Sequence, residues 1–140
     1  MTTGTKELDL AKIWLFSTCS TRELRTIRRT LEEVTVPAGR VLCEEGTIGR
    51  EFFLIVDGQA SVRRNGRKVA TLGPGQYFGE LALLDRRPRS ASVVADTEML
   101  LLVLGQRQFN GILDAVPALS RKLLVAMATR LRESDAKAYH

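Results

Sequence analysis

The chain has 140 residues, 44% hydrophobic and 26% charged, a globular balance that excludes collagen-like, fibrous and disordered classes and fits one ordinary domain. Its longest apolar runs, Met99–Leu104 and Leu123–Ala128, fall far short of the roughly 20 residues a bilayer span needs, and Met1–Lys6 lacks a basic-then-apolar signal pattern. A formal net charge of +5 invites a nucleic-acid reading, but the cations are spread over every region and no finger, zipper or RNA-binding aromatic pattern accompanies them.

Catalytic machinery is thin. The single histidine is the last residue, His140, which argues against Ser-His-Asp, Cys-His and histidine-rich metal centres. Cys19 and Cys43 lie far apart and outside any CxxC pairing, against both a disulfide framework and a zinc knuckle. The chain reads as a cytoplasmic protein without enzymatic chemistry or a metal.

Taken in order, Leu8, Leu10, Ile13, Trp14, Leu15 and Phe16 predict a short helix. Ser20-Thr21-Arg22-Glu23 has capping-box spacing, and Leu24, Ile27 and Leu31 follow at i, i+3 and i+7, so a second helix is predicted there. Arg22, Arg25 and Arg29 fall towards its opposite face. From Val34 the texture turns to short β runs broken by glycine: Val34–Val36, Arg40–Glu44, Glu51–Val56, Gln59–Arg64 and Lys68–Leu72. Asp57-Gly58 and Asn65-Gly66 between such runs are hairpin signals, because both dipeptides tolerate positive φ. Two more runs, Ser90–Ala95 and Thr97–Leu104, follow a non-β interval. The end is helical, with Gln106–Leu113 as one helix, a break at Pro117, and an apolar stripe over Leu119, Leu123, Leu124, Met127 and Leu131 on a longer one. The stripe is read as core or ligand lid, with a homodimer seam through the C-terminal helix as the alternative.

The predicted fold is mainly β with flanking helices: an antiparallel, jelly-roll-like β-roll between an N-terminal helical segment and C-terminal helices. One domain spans 1–140, with helices over 8–33, the β-roll over 34–104 and helices over 106–135.

The β texture is interrupted at Tyr77–Ala91. Gly79 allows close backbone approach to a ligand, and Glu80–Leu84 has the composition of a single helical turn whose free N–H groups form an anion site. Arg89 supplies a fork suited to phosphate oxygens. A carboxylate at Glu80 gains a purpose if the ligand offers hydroxyls and a phosphate together, as a ribose phosphate does. The competing reading is a Glu80–Arg89 surface ion pair worth about 0–1 kcal/mol. Gly73-Pro74-Gly75 begins like a dinucleotide fingerprint, but Phe78 holds the third glycine position. The basic run Arg86-Arg87-Pro88-Arg89 reads equally as a localisation patch or a short exposed loop.

This stretch resembles the phosphate-binding cassette, 78–91, of the cyclic-nucleotide-binding domain family, which includes catabolite activator protein and the regulatory subunit of cAMP-dependent protein kinase. Val36-Pro37-Ala38-Gly39, Gly46, Phe52–Gly58, Gly66 and Leu72–Gly75 also fall where that family places strands and turns. The resemblance implies a ligand site of Phe78, Gly79, Glu80, Leu81, Ala82, Arg89, Ser90 and Ala91. Glu80 would accept from the ribose 2′-hydroxyl, and Arg89 would pair with the cyclic phosphate, helped by N–H groups near Leu81, Ala82 and Ala91. Gly79 would give clearance, and Ser90 a hydroxyl contact to phosphate or base. The implied ligand is cAMP in preference to cGMP, with no further cofactor. Thr129, Arg130, Arg132, Ser134 and Tyr139 are all candidates to cap the base, and the last helix, Leu119–Leu131, becomes the candidate lid.

The stretch after Leu104 is largely taken up by the apolar stripe, leaving no room for a DNA-binding module, kinase or pore. The chain is thus expected to act through a protein effector, either alone or as a piece of a longer protein. The rival function is an interaction domain that keeps the roll without binding nucleotide.

Overall fold

The computed structural model describes residues 9–79 and 87–138. Among the described residues, eight strands form two four-stranded sheets: β1 (Glu32–Val36), β2 (Val41–Cys43), β3 (Glu51–Asp57), β4 (Ala60–Arg64), β5 (Arg67–Leu72), β6 (Tyr77–Phe78), β7 (Ser92–Ala95) and β8 (Met99–Gly105). One sheet runs β1-β8-β3-β6 and the other β2-β7-β4-β5, and every pairing is antiparallel. The α-helices among the described residues are α1 (Thr21–Thr30), α2 (Gln106–Ala115) and α3 (Pro117–Ala138). This is the mainly β, antiparallel roll with flanking helices that the sequence predicts.

The chain forms two compact units. The β unit contains Thr30–Phe109 and carries both sheets. Its core is a layer of Val36, Cys43, Phe53, Ile55, Ala60, Phe78, Val93, Ala95, Met99, Leu101 and Val103, drawn from strands of both sheets. The apolar runs of β3 and β8 suit central strands buried on both faces: Phe52 through Val56 and Leu101 through Leu104 are all buried. Phe53 stacks on Phe78 at 4.8 Å between centroids, while Phe52, pointing the other way, meets Phe109 at 5.3 Å and Tyr77 at 5.7 Å.

The two glycine turns singled out by sequence behave differently. Asn65 (φ 53°) and Gly66 (φ 77°) make the tight hairpin between β4 and β5, with Arg64 opposite Arg67. Asp57-Gly58 makes no hairpin, because β3 and β4 belong to different sheets. Gly58 has φ 93°, and a Cβ there would stand 2.5 Å from the Glu98 carbonyl oxygen and 2.9 Å from the Met99 Cα. The next residue, Gln59, donates its N–H to Thr97 Oγ1 at 3.1 Å and accepts from the Asp96 N–H at 2.9 Å. This Asp-Gly turn is therefore a crossover clamped onto the β7–β8 connection. The same clamp moves the start of the last strand from the expected Thr97 to Met99, since Asp96–Glu98 is used as a turn.

The helical unit contains Asp9–Arg29 and the chain from Asn110. The capping box is present in full: Glu23 N–H donates to Ser20 Oγ (3.1 Å) and Ser20 N–H to Glu23 Oε1 (2.7 Å). Of the predicted α1 stripe only Ile27 is buried, and Leu31 lies past the helix end. The segment before α1 differs from expectation. It forms two 3₁₀ turns, Leu10–Lys12 and Trp14–Phe16, because Ile13 between them is extended at φ −84°, ψ 127°. Trp14 is 48% exposed and carries the Lys122 ammonium 4.1 Å from its ring centroid. Pro117 opens α3 at the position where a missing N–H costs nothing. The α3 stripe is divided: Leu119 and Leu123 are buried, whereas Leu124 and Leu131 are 63% and 64% exposed. Adjacent residues point about 100° apart on a helix, so Leu123 and Leu124 cannot share a face.

Gly58→Ala should lower unfolding stability by about 1–3 kcal/mol in denaturant titration, because it forces a side chain into the left-handed region against a carbonyl. Gly73→Ala, where an added Cβ meets nothing within 4 Å, should change it far less.

Candidate functional site

The residues singled out at Tyr77–Ala91 divide into three groups. Glu80, Leu81 and Ala82, with the rest of the expected helical turn, lie outside the described residues, as does Tyr139. The Phe78 side chain is buried in the inter-sheet core against Phe53, so any ligand contact it makes is left to its backbone. Gly79, Arg89, Ser90 and Ala91 are described and are brought together with two segments that the sequence did not single out for the site.

The backbone around Arg89 is built first. Arg89 donates its N–H to the Thr47 carbonyl (2.6 Å), its own carbonyl accepts from the Gly46 N–H (2.9 Å), and Ile48 bridges Pro88 in antiparallel register. The Glu45 N–H donates to Ser92 Oγ at 2.9 Å. The turn over residues 44–49 is thus zipped along the chain that leads into β7. Arg64, at the β4–β5 tip, adds Nε to the Ser90 carbonyl at 3.3 Å.

From this rail the Arg89 side chain turns inward and is only 8% exposed. Its Nη1 donates to the Gly79 carbonyl at 3.0 Å and its Nη2 to the Glu51 carbonyl at 2.8 Å. The guanidinium therefore ties the end of β6 to the start of β3. This burial corrects one part of the exposed-loop reading, since the Arg89 side chain is not exposed; Glu80, the other member of the expected ion pair, lies outside the described residues. Arg87 and Pro88 are exposed, but the side chain of the following residue is taken out of water among the backbone of Gly49, Glu51 and Gly79.

The electrostatics follow from the acceptors. Both partners that the described residues give this guanidinium are neutral carbonyls, which satisfy two of its five donors and bring no negative charge. A buried cation in that state favours an anion nearby. Gly79 sits beside it with φ 96°, and a Cβ there would fall 2.6 Å from the Glu51 carbonyl and 2.8 Å from Arg89 Nη1. Glycine at 79 thus serves the arginine and strand contacts, beyond the ligand clearance expected of it. Ser90 is exposed and Ala91 half-buried. The candidate base-capping residues Thr129, Arg130 and Arg132 belong to the helical unit and are exposed, and the Thr129 hydroxyl donates to the Val125 carbonyl at 3.1 Å.

Among the described residues no group of three His, Cys, Asp or Glu side chains is placed to hold a metal ion. Burial, and then the Glu23 carboxylate, push the Cys19 thiol up, away from the thiolate a nucleophile needs. No helix among the described residues is long and apolar enough to cross a membrane.

Arg89→Ala should destabilise the ligand-free protein by about 1–3 kcal/mol in denaturant titration, since it leaves the Gly79 and Glu51 carbonyls without their donor. At Cys19, Glu23→Gln should lower the thiol pKa and speed alkylation at a fixed pH slightly above neutral; an unchanged rate would exclude the carboxylate as a cause.

The fold has known counterparts. The profile of the family described as "Cyclic nucleotide-binding domain" matches residues 33–115. The cAMP-dependent protein kinase regulatory subunit of Aspergillus niger is 36% identical over 118 residues, which is 83% of this chain and 29% of that subunit. The chain therefore spans under a third of that relative's length. Among solved structures, the catabolite activator protein of Thermus thermophilus superposes with a TM-score of 0.84 at 31% identity, over 89% of this chain and 61% of that one. The regulatory domain of Toxoplasma gondii PKA, crystallised with cAMP, superposes with a TM-score of 0.68 at 33% identity, over 74% of this chain and 41% of that one. A profile match over more than half of the sequence, on a shared two-sheet roll, makes this chain a member of the cyclic nucleotide-binding domain family.

Proposed function

We propose that this chain is a regulatory sensor module that binds a cyclic nucleotide, cAMP in preference to cGMP, and catalyses no reaction. The observation that carries the reading is Arg89: a buried guanidinium, met by neutral carbonyls, on the segment where the family places its phosphate cassette. A cyclic phosphate supplies the single negative charge and the paired oxygens that such a fork accepts. Among the described residues the carbonyls take two of the five guanidinium N–H donors, so an anion adds to these contacts without displacing them.

Around that ion pair, Glu80 accepts from the ribose 2′-hydroxyl, and backbone N–H groups near Leu81, Ala82 and Ala91 share the phosphate. The carboxylate makes the site a receptor for a ribose phosphate ahead of inorganic phosphate, which lacks a donor hydroxyl in that place and would be repelled. Gly79 keeps the approach open, and Ser90, exposed beside Arg89, offers its hydroxyl to phosphate or base. The preference for cAMP is supported by the relatives, since the Toxoplasma domain was solved with cAMP and the Aspergillus protein is a subunit of a cAMP-dependent kinase.

The 1–140 chain acts as one cyclic-nucleotide domain, in the cytoplasm, and signals by repositioning its C-terminal helix. In the sequence, α2 and α3 follow the last strand of the roll directly. The output is read by a protein effector.

Calorimetric titration with cAMP and cGMP tests the reading. We expect binding at micromolar concentration or tighter, with cAMP the tighter ligand. Arg89→Ala should weaken it by about 1.5–3 kcal/mol, roughly ten- to more than a hundredfold. Glu80→Gln should weaken binding of the nucleotide while leaving the response to inorganic phosphate no weaker. No heat and no thermal shift with either nucleotide would leave a β-roll interaction domain. Backbone hydrogen exchange in α3 should change on saturation with cAMP; identical protection with and without ligand would reject the helix as the moving element.

A further inference from the structure

Arg89 can occupy its slot only because of a residue that contributes no atoms to it. Gly49 is buried and lies directly beneath the guanidinium. A Cβ built at Gly49 would overlap Nε and Cζ of Arg89 and stand 2.6 Å from Nη2, and these three are its nearest neighbours. The contrast with other glycines is informative. Gly58 and Gly79 combine positive φ with backbone atoms in the way, so a side chain there strains the main chain itself. Gly49 has no positive φ, so its backbone accepts an L side chain, and what the side chain meets is the mobile end of an arginine.

We propose that Gly49 is the positioning residue for Arg89: its missing side chain is the space that lets the guanidinium lie flat between the Glu51 and Gly79 carbonyls, fixed before any ligand arrives. An arginine held this way has surrendered its rotamer freedom during folding, so ligand binding does not have to order it. Filling the space with one methyl group pushes the guanidinium off both carbonyls while the fold around it survives. Gly49 also stands two residues before Glu51, so the segment that makes the room also supplies an acceptor. The effect on nucleotide affinity rests on the function proposed above; the effect on Arg89 itself does not.

The test separates the two. In nucleotide-free protein, solvent exchange of the Arg89 guanidinium protons is followed by nitrogen-edited NMR, with the signal assigned by its loss in Arg89→Ala. Gly49→Ala should speed that exchange and weaken cAMP binding, each by about tenfold or more. Gly111→Ala, where an added Cβ meets nothing, should change neither. Thermal unfolding closes the argument: Gly49→Ala should lower Tm in the parent but not in the Arg89→Ala background, where the slot is already empty. Unchanged Arg89 exchange in Gly49→Ala, or an equal loss of Tm in both backgrounds, would overturn the assignment. If the parent binds neither cAMP nor cGMP while Arg89 exchange still responds to Gly49→Ala, the nucleotide reading falls and the positioning role stands.

Discussion

A guanidinium that leaves water must find acceptors where it goes, and much of the described site in this chain is organised by that requirement. Arg89 finds them in the carbonyls of Glu51 and Gly79, at the ends of two neighbouring strands of one sheet. Its own peptide is gripped by the turn over residues 44–49, which leads into the first of those strands. The segment 44–51 and Gly79 are thereby locked around one cation. Burying such a charge costs far more than exposing it, which sets Arg89 apart from the many exposed arginines. The +5 net charge says nothing comparable, because an exposed cation is solvated at no structural cost.

Glycine is the second constraint, and it acts in two distinct ways. At Gly58 the main chain takes a left-handed turn against the Glu98 carbonyl, so the backbone itself needs glycine to pass from one sheet to the other. At Gly49 the backbone is ordinary and the need is for an absent side chain. The first is a folding role and the second a site role, although both look alike as a letter in the sequence.

The helical unit follows the ordinary rules of amphipathic packing, with one division of interest. α3 buries Leu119 and Leu123 in its early turns and leaves Leu124, Val125 and Leu131 exposed. Lys122 between them lays its ammonium over Trp14, which fixes the start of α3 against the 3₁₀ turn Trp14–Phe16 within this unit.

Much of the roll was legible from local chemistry. Strand texture, the Asn65-Gly66 hairpin, the Ser20–Glu23 capping box and the Pro117 break are each governed by residues within a few positions of one another, and the structure has all four. The 3₁₀ turns at Leu10–Phe16 and the start of β8 at Met99 were not legible. The apolar spacing before α1 fits a helix as well as two tighter turns, and Thr97 is drawn out of its strand by Gln59, 38 residues away. Asp57-Gly58 carries the same local signal as Asn65-Gly66, and only the partners of the flanking strands distinguish a crossover from a hairpin. The same holds at the site. The sequence by itself placed a carboxylate and a guanidinium, Glu80 and Arg89, in one interval after a glycine. Only the tertiary structure decided that Arg89 is buried, that its acceptors are Glu51 and Gly79, and that Gly49 makes room for it. Side-chain chemistry is a property of the residue, whereas burial and clearance depend on which distant segments the fold brings against it.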